Sequence, residues 1–409
     1  MNKKYGSNIL KVTNELIFME NKMKKSKKLK VFEAFSGIGA QKAALEILKN
    51  EIGLNYEIVA TSDWFINAIE CYDAIHYDGE PPIKLTSYEE ELEYLQHYTF
   101  SKDSVKPYDI SKMTRENLAY LYQSHLRTKN LGSILDIKSK DIPNFDLLTY
   151  SFPCQDLSTG GKTKGMKKGS GTRSGLLWEI ERILKGLKKE GRLPEYLLME
   201  NVKAIMADSN SADLKEWLDF LNGLGYSNED CMILDASKFG VPQDRQRAFI
   251  ISHLGKPVNI SEDKLRHNFN YRFSDFVHSA QGNPRYQREY DAAQLNRTDS
   301  REKMWEINGR EWSENLVVHT ITCNMDRSNT SVMFKYNGPK GPSYRLLTIR
   351  EAFKLMGFSD EQYEKAAKLQ LSYRQMNKLI GNSIVVNVLV EIFRFLFADK
   401  YSKDGGNNE

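Results

Sequence analysis

Cys154 sits in the run Ser151-Phe-Pro-Cys-Gln-Asp-Leu-Ser158, directly after a proline that stiffens the backbone. A cysteine in this setting is either inert core or a nucleophile. Just beyond it lies a stretch, Gly161 to Ser174, with five basic residues, four glycines and no acid, including Lys162 and Arg173. Such a loop suits closure over a phosphate backbone, and its positive charge would favour thiolate over thiol. Glu200, in Leu197-Leu-Met-Glu200-Asn201-Val202, is a carboxylate that could share a cleft with Cys154; a helix-capping role is the alternative. Ser36-Gly-Ile-Gly39 lets backbone approach a ligand and aims helix N–H groups at an anion, or is simply a tight turn. Asp63 could accept the two hydroxyls of a ribose and Trp64 could stack on a purine, or the pair could be a helix cap and a packing ring. The glycine turn matches neither of the usual nucleotide-phosphate patterns.

These residues share a position relative to the predicted elements. Lys30 to Phe35, Tyr56 to Thr61, Asp146 to Tyr150 and Tyr196 to Met199 read as short buried strands, and each leads into one of these groups. Cys231 to Leu234 and Ala248 to Ile251 read as two more strands. Strands alternating with helices predict a doubly wound α/β sheet with parallel strands, and such sheets gather ligands at the strands' carboxyl ends.

Four segments lie outside that pattern. Residues 1–28 form a basic tail: residues 1–30 carry nine lysines against Glu15 and Glu20. Residues 80–130 look like a charged helical insertion without chemistry, inside a catalytic unit of 29–255. Residues 256–343 turn polar, with Arg and Asn abundant, and predict a second, smaller domain; 344–380 then serve as a hinge, and 381–400 return to the first unit.

The chain has 409 residues and a formal net charge of +4, too long for one minimal core. Because the tail contributes most of that charge, global charge argues only weakly for nucleic acid. No apolar run approaches the roughly 18 to 20 residues that span a bilayer, so membrane and secreted readings are disfavoured. Four cysteines without metal-ligand spacing imply a reducing, cytoplasmic setting and no metal.

Taken in order, Phe35-x-Gly37-x-Gly39, Pro153-Cys154-Gln155, Glu200-Asn201-Val202, Gln243-x-Arg245-x-Arg247 and Gly381-Asn382-Ser383 resemble the motif set of the cytosine-C5 DNA methyltransferases, covering about residues 29–253 and 344–398. The resemblance implies a Rossmann-like, S-adenosylmethionine-dependent methyltransferase domain with a target-recognition domain at 256–343. Cytosine C5 is a poor nucleophile, so Cys154 would first add to C6, with Glu200 assisting at N3 and the exocyclic amine. Arg247 would hold O2 and Arg245 would order the cleft. The base must leave the duplex to be reached, and Gln155, Ser158, Lys162, Arg173 and Gln243 would contact the DNA around it.

For the cofactor, the resemblance assigns Phe35 and Trp64 to the adenine, Asp136 to its amino group, Asp63 to the ribose, and the backbone of Gly37, Ile38 and Gly39 to the methionine end. Pro153, Leu176, Asn382 and Ser383 complete the pocket. In the second domain, Thr320 would brace the flipped nucleotide's phosphate, while Arg327 and Asn329 have base-reading chemistry. The implied partner is double-stranded DNA, acted on by a monomer, with a cognate restriction endonuclease as a candidate functional partner. Two alternatives stay open: a tRNA cytosine-C5 methyltransferase, since Phe152-Pro153-Cys154 stands where that branch has Pro-Pro-Cys, and a catalytically silent DNA-binding regulator. The intact trio Cys154, Glu200 and Arg247 argues against the latter.

Overall fold

The computed structural model describes residues 27–402 except 82, 155–156, 158–164, 170–171, 278–285, 294–297, 309–312, 326–332 and 339–340. At its centre is a sheet of β1 (Leu29–Ala34), β2 (Tyr56–Ser62), β3 (Leu147–Tyr150), β4 (Tyr196–Val202), β5 (Tyr226–Asn228), β6 (Met232–Asp235) and β8 (Gln246–Leu254). The spatial order is β2-β1-β3-β4-β8-β5, and β6 also pairs with β8. Alternation sorts each strand's side chains onto two cores. Leu29, Val31, Leu147 and Leu198 face one layer; Phe32, Ala34, Leu148, Leu197 and Met199 face the other. Both faces are covered, which is why these strands read as continuous apolar runs.

The sheet departs from the predicted parallel arrangement at one side. β2, β1, β3 and β4 are parallel, but β8 runs antiparallel to β4, β5 and β6. The connection from β6 to β8 spans only residues 236–245, too short for the helical crossover that a parallel neighbour requires, so the chain turns back. This reversal positions the site. The start of β8 lies beside the carboxyl end of β4, with Arg247 opposite Val202.

The expected insertion is ordered structure. Helices Tyr88–Leu95 and Arg115–Arg127 open on Ser87 and Thr114, whose side chains accept N–H groups of the first turn. With Phe100 and Ile110 they pack on Ile66 and Ile69 of helix Ile66–Tyr77.

The second unit is smaller than predicted. Ile260, Leu265, Phe273 and Val277 lie in the main core, and Val318, Ile321 and Met325 return to it. Ala293, Trp305, Met333 and Leu346 form a separate small core. The expected boundary at 343 falls inside β11 (Gly341–Leu346), which pairs antiparallel with β10 (Met333–Gly338). Residues 344–380, expected as a hinge, instead make the helices Ile349–Leu355, Asp360–Ala367 and Tyr373–Gly381, with Phe353, Phe358 and Ile380 in the main core. The stretch Tyr373–Tyr401, long and apolar enough by composition to cross a membrane, is also mostly buried there.

Candidate active site

A single cleft runs along the carboxyl ends of the parallel strands. Of the residues singled out from sequence, Phe35, Gly37, Ile38, Asp63, Trp64, Pro153, Cys154, Arg173, Leu176, Glu200, Arg245, Arg247, Asn382 and Ser383 all line it.

At one end the chain leaves β1 through a strained turn. Phe35, Gly37 and Gly39 all have positive φ, at 57°, 54° and 77°, and for a phenylalanine that conformation costs roughly 1–2 kcal/mol. A Cβ on Gly39 would lie 2.4 Å from His76 Nε2, so no larger residue fits. Gly39 does not itself line the cleft; it starts helix Ala40–Ile52, whose N-terminus has no side-chain cap and meets the cleft at Ala40 and Gln41. Asp63, just beyond β2, accepts the N–H of Gly37 at 3.0 Å and of Phe65 at 2.8 Å. Burial raises its pKa, and those N–H groups oppose the rise.

At the other end, Cys154 follows β3 and Glu200 belongs to β4. Asn201 Nδ2 donates to the Phe152 carbonyl at 3.1 Å and Ser174 Oγ donates to the Pro153 carbonyl at 2.8 Å, pinning the backbone that carries the thiol. The Ser151 hydroxyl donates to Glu200 Oε2, and Arg247 Nε lies 3.5 Å from Glu200 Oε1. Burial pushes the Cys154 thiol above its ordinary pKa, and the Glu200 carboxylate adds to this; Arg247 and Arg245 pull it back. Among the described residues, the positive charge that favours the thiolate comes from this arginine pair. Residues 158–164 of the basic loop, with Ser158 and Lys162, lie outside the described residues, as do Gln155, Arg327 and Asn329.

Arg245 is buried and acts as a clasp. Its Nη1 donates to Ile321 O at 2.7 Å, and its Nη2 to Ser383 O at 2.7 Å and Gly381 O at 3.1 Å. Burial, reinforced by Arg247, lowers its pKa to about 9.

Two expected roles fail on position. Gln243 is fully buried: its Nε2 donates to Leu355 O at 2.8 Å and its Oε1 accepts the Ile321 N–H at 2.9 Å. β7 (Gln243–Asp244) pairs with β9 (Val318–His319), and that alternation turns Gln243 inward and Asp244 outward, so Gln243 cannot reach DNA. Asp136 is exposed and does not line the cleft; the tight turn that its N–H closes onto Ser133 O presents Ser133, Ile134 and Leu135 instead. Thr320 lies outside the main cleft, beside Asp244, Gln246, His319 and Thr322 in a shallow depression, and its hydroxyl donates to Asp244 O at 2.6 Å.

Sequence reasoning passed over Ser151, Ser133 and Ser104, which also line the cleft. Ser151 had a visible signal, standing three positions before Cys154 at a strand end; Ser104 had none.

The family model for C-5 cytosine-specific DNA methylases matches residues 100–398. The chain is 35% identical over 385 residues to the orphan methyltransferase M.SssI of Spiroplasma monobiae, covering 90% of this chain and 97% of that protein. It is 33% identical over 378 residues to the type II methyltransferase M2.ScrFI of Lactococcus lactis subsp. cremoris, covering 90% and 99%. Among solved structures, the S. pombe Dnmt2 methyltransferase superposes with a TM-score of 0.58 at 19% identity, over 90% of this chain and 98% of that one, a likeness of fold. The motifs, the cleft that gathers them and these matches agree, and the chain belongs to the C-5 cytosine-specific DNA methylases.

Proposed function

We propose that this DNA (cytosine-5)-methyltransferase acts on a cytosine flipped out of a specific duplex sequence, through a covalent bond between Cys154 and C6. The observation that carries the reading is the convergence of Cys154, Glu200 and Arg247 on one mouth of the cleft that also holds Phe35 and Asp63.

S-adenosylmethionine is the family's methyl donor and, when bound, supplies an electrophilic methyl carbon. The residues present fit it. Phe35, Ile38, Trp64, Ile134 and Leu176 offer apolar surface for an adenine, and Asp63 has lone pairs left for ribose hydroxyls. The uncapped helix start at Ala40 suits a carboxylate. Ser133 stands where the adenine amino group was assigned to Asp136.

On the substrate side, the Cys154 thiolate adds to C6 and the ring becomes nucleophilic at C5. Glu200, held by Ser151, shares a proton with N3 and receives the amine, which stabilises the adduct's charge. Arg247 donates to O2 while keeping Glu200 oriented. After methylation, a base removes the C5 proton, the C5–C6 double bond reforms and Sγ leaves C6, restoring the thiolate. The second unit would read the flanking bases, with Thr320 and Arg173 on the backbone.

The proposal extends to a cytoplasmic monomer that modifies the host's own sites, with or without a cognate endonuclease. The test is methyl incorporation from S-adenosylmethionine into duplex DNA and into tRNA, followed by conversion sequencing of the DNA. Methylation of tRNA alone would overturn the DNA assignment.

A further inference from the structure

The segment between the first two parallel strands' cleft residues and β3 reads from sequence as an insertion without chemistry, yet one of its residues, Ser104, lines the cleft beside Trp64 and Phe65. The turn that carries it is closed on itself. Asp103 Oδ1 accepts the N–H groups of Val105 at 2.8 Å and Lys106 at 3.0 Å, and Ser101 Oγ donates to Lys106 O at 2.6 Å. Ser104 sits at the crest with φ of 55°.

The turn is tied to the cofactor end of the cleft from two sides. On one, Ser101 N–H donates to Trp64 O at 2.7 Å and Ser101 O accepts from Ile66 N–H at 2.9 Å, bracketing the two aromatic residues after β2. On the other, the Lys378 ammonium donates to the Asp103 carbonyl and lies 4.9 Å from the centre of the Phe65 ring. Lys378 belongs to helix Tyr373–Gly381, whose last residue and the adjoining Asn382 and Ser383 also line the cleft. One lysine therefore joins the helix that carries those lining residues to the turn that carries Ser104. The far end of the segment is anchored too: Ser124 Oγ donates to Asp73 Oδ2 at 2.9 Å and Arg127 Nε lies 3.0 Å from Asp73 Oδ1.

We propose that Ser101–Lys106 is a strap across the cofactor end of the cleft, latched by Lys378, which controls passage of the sulfonium nucleoside and its demethylated product. This rests on the reading of that end as the cofactor pocket. Lys378 is a positioning residue: it touches the strap and Phe65, and acts on the cofactor through them. The latch is a charge-assisted hydrogen bond to a carbonyl, and its loss should speed dissociation by about tenfold.

The experiment measures release of S-adenosylhomocysteine from the full-length protein by stopped-flow displacement, with no methyl transfer involved. Lys378→Met keeps the aliphatic stem against Phe65 and removes the donor; its off-rate should rise about tenfold, with KM for the methyl donor rising and kcat equal or higher. Lys378→Arg restores a donor and should return the off-rate to within about twofold of wild type. Asp103→Ala loosens the turn itself and should act in the same direction as Lys378→Met. An unchanged off-rate in Lys378→Met and Asp103→Ala overturns the strap. Wild-type protein that binds neither nucleoside overturns the cofactor reading instead, so the two failures are separable.

Discussion

Arg247 Nε lies 3.5 Å from Oε1 of Glu200, although the two residues come from strands running in opposite directions. The carboxylate thus has a cation on one oxygen and the Ser151 hydroxyl on the other. Nearly enclosed, it is fixed in rotamer before any base arrives. Preorganisation of this kind is what an electrostatic role requires.

Removal of the sulfur is the sharpest test of the chemistry. Cys154→Ala should lose methyl transfer by more than about a thousandfold while keeping S-adenosylmethionine affinity within about twofold. Isothermal titration and a tritium-transfer assay give both numbers, and surviving turnover would refute the covalent route.

A duplex carrying 5-fluorocytosine at the target position should trap the protein irreversibly, because fluorine cannot depart from C5 as a proton does. A denaturation-resistant complex, with the adduct mapped to the Cys154 peptide, is the expected result. An active preparation that yields none would contradict the mechanism.

Burial and Glu200 raise the Cys154 pKa, so in the free protein its alkylation should accelerate with pH into and above the usual thiol range. Glu200→Gln removes a charge that disfavours thiolate and should move the limb to lower pH. Arg247→Ala removes one that favours it and should move the limb higher. Peptide-resolved iodoacetamide labelling across pH reads these directions, and shifts of the opposite sign would show that other groups govern the thiol.

The two arginines of the Gln-x-Arg-x-Arg motif should fail differently. Arg245→Ala strips buried hydrogen bonds from three carbonyls and should cost about 3 kcal/mol or more of stability. Arg247→Ala, nearer the cleft mouth, should lower kcat by about a hundredfold with a small change in melting temperature. Equal melting temperatures for both variants would contradict the clasp.

Gly39→Ala places a methyl group against His76 and Tyr72 at a φ of 77°. It should weaken cofactor binding by about tenfold or more and cost about 1–3 kcal/mol of stability. Calorimetry on the variant would settle both.

Much of the site was legible because its residues follow apolar runs that are hard to mistake for anything but strands. Phe35, Asp63, Cys154 and Glu200 each lie at or just past such a run, and the sheet brings these ends together. What escaped depended on relations that run outside any local pattern. The reversal of β8 comes from a short connection, and Gln243 turns inward only because β7 finds its partner β9 (Val318–His319) far along the chain. Asp136 was the wrong choice within Gly132 to Asp136 because a tight turn decides which side chain faces the cleft. The hinge and the start of the second unit were misplaced because short polar helices and an irregular stretch each hide only a few core contacts, such as Phe353 and Leu265.

Both excursions into the smaller unit, from Val277 to Val318 and from Met325 to Leu346, begin at residues seated in the main core, and the first also ends there. Arg245 grips the chain at Ile321, between them. The described pieces of the smaller unit therefore hang from fixed posts, so if they read the flanking bases as proposed, their surfaces can be altered while the posts beside the sulfur and its carboxylate neighbour stay in place.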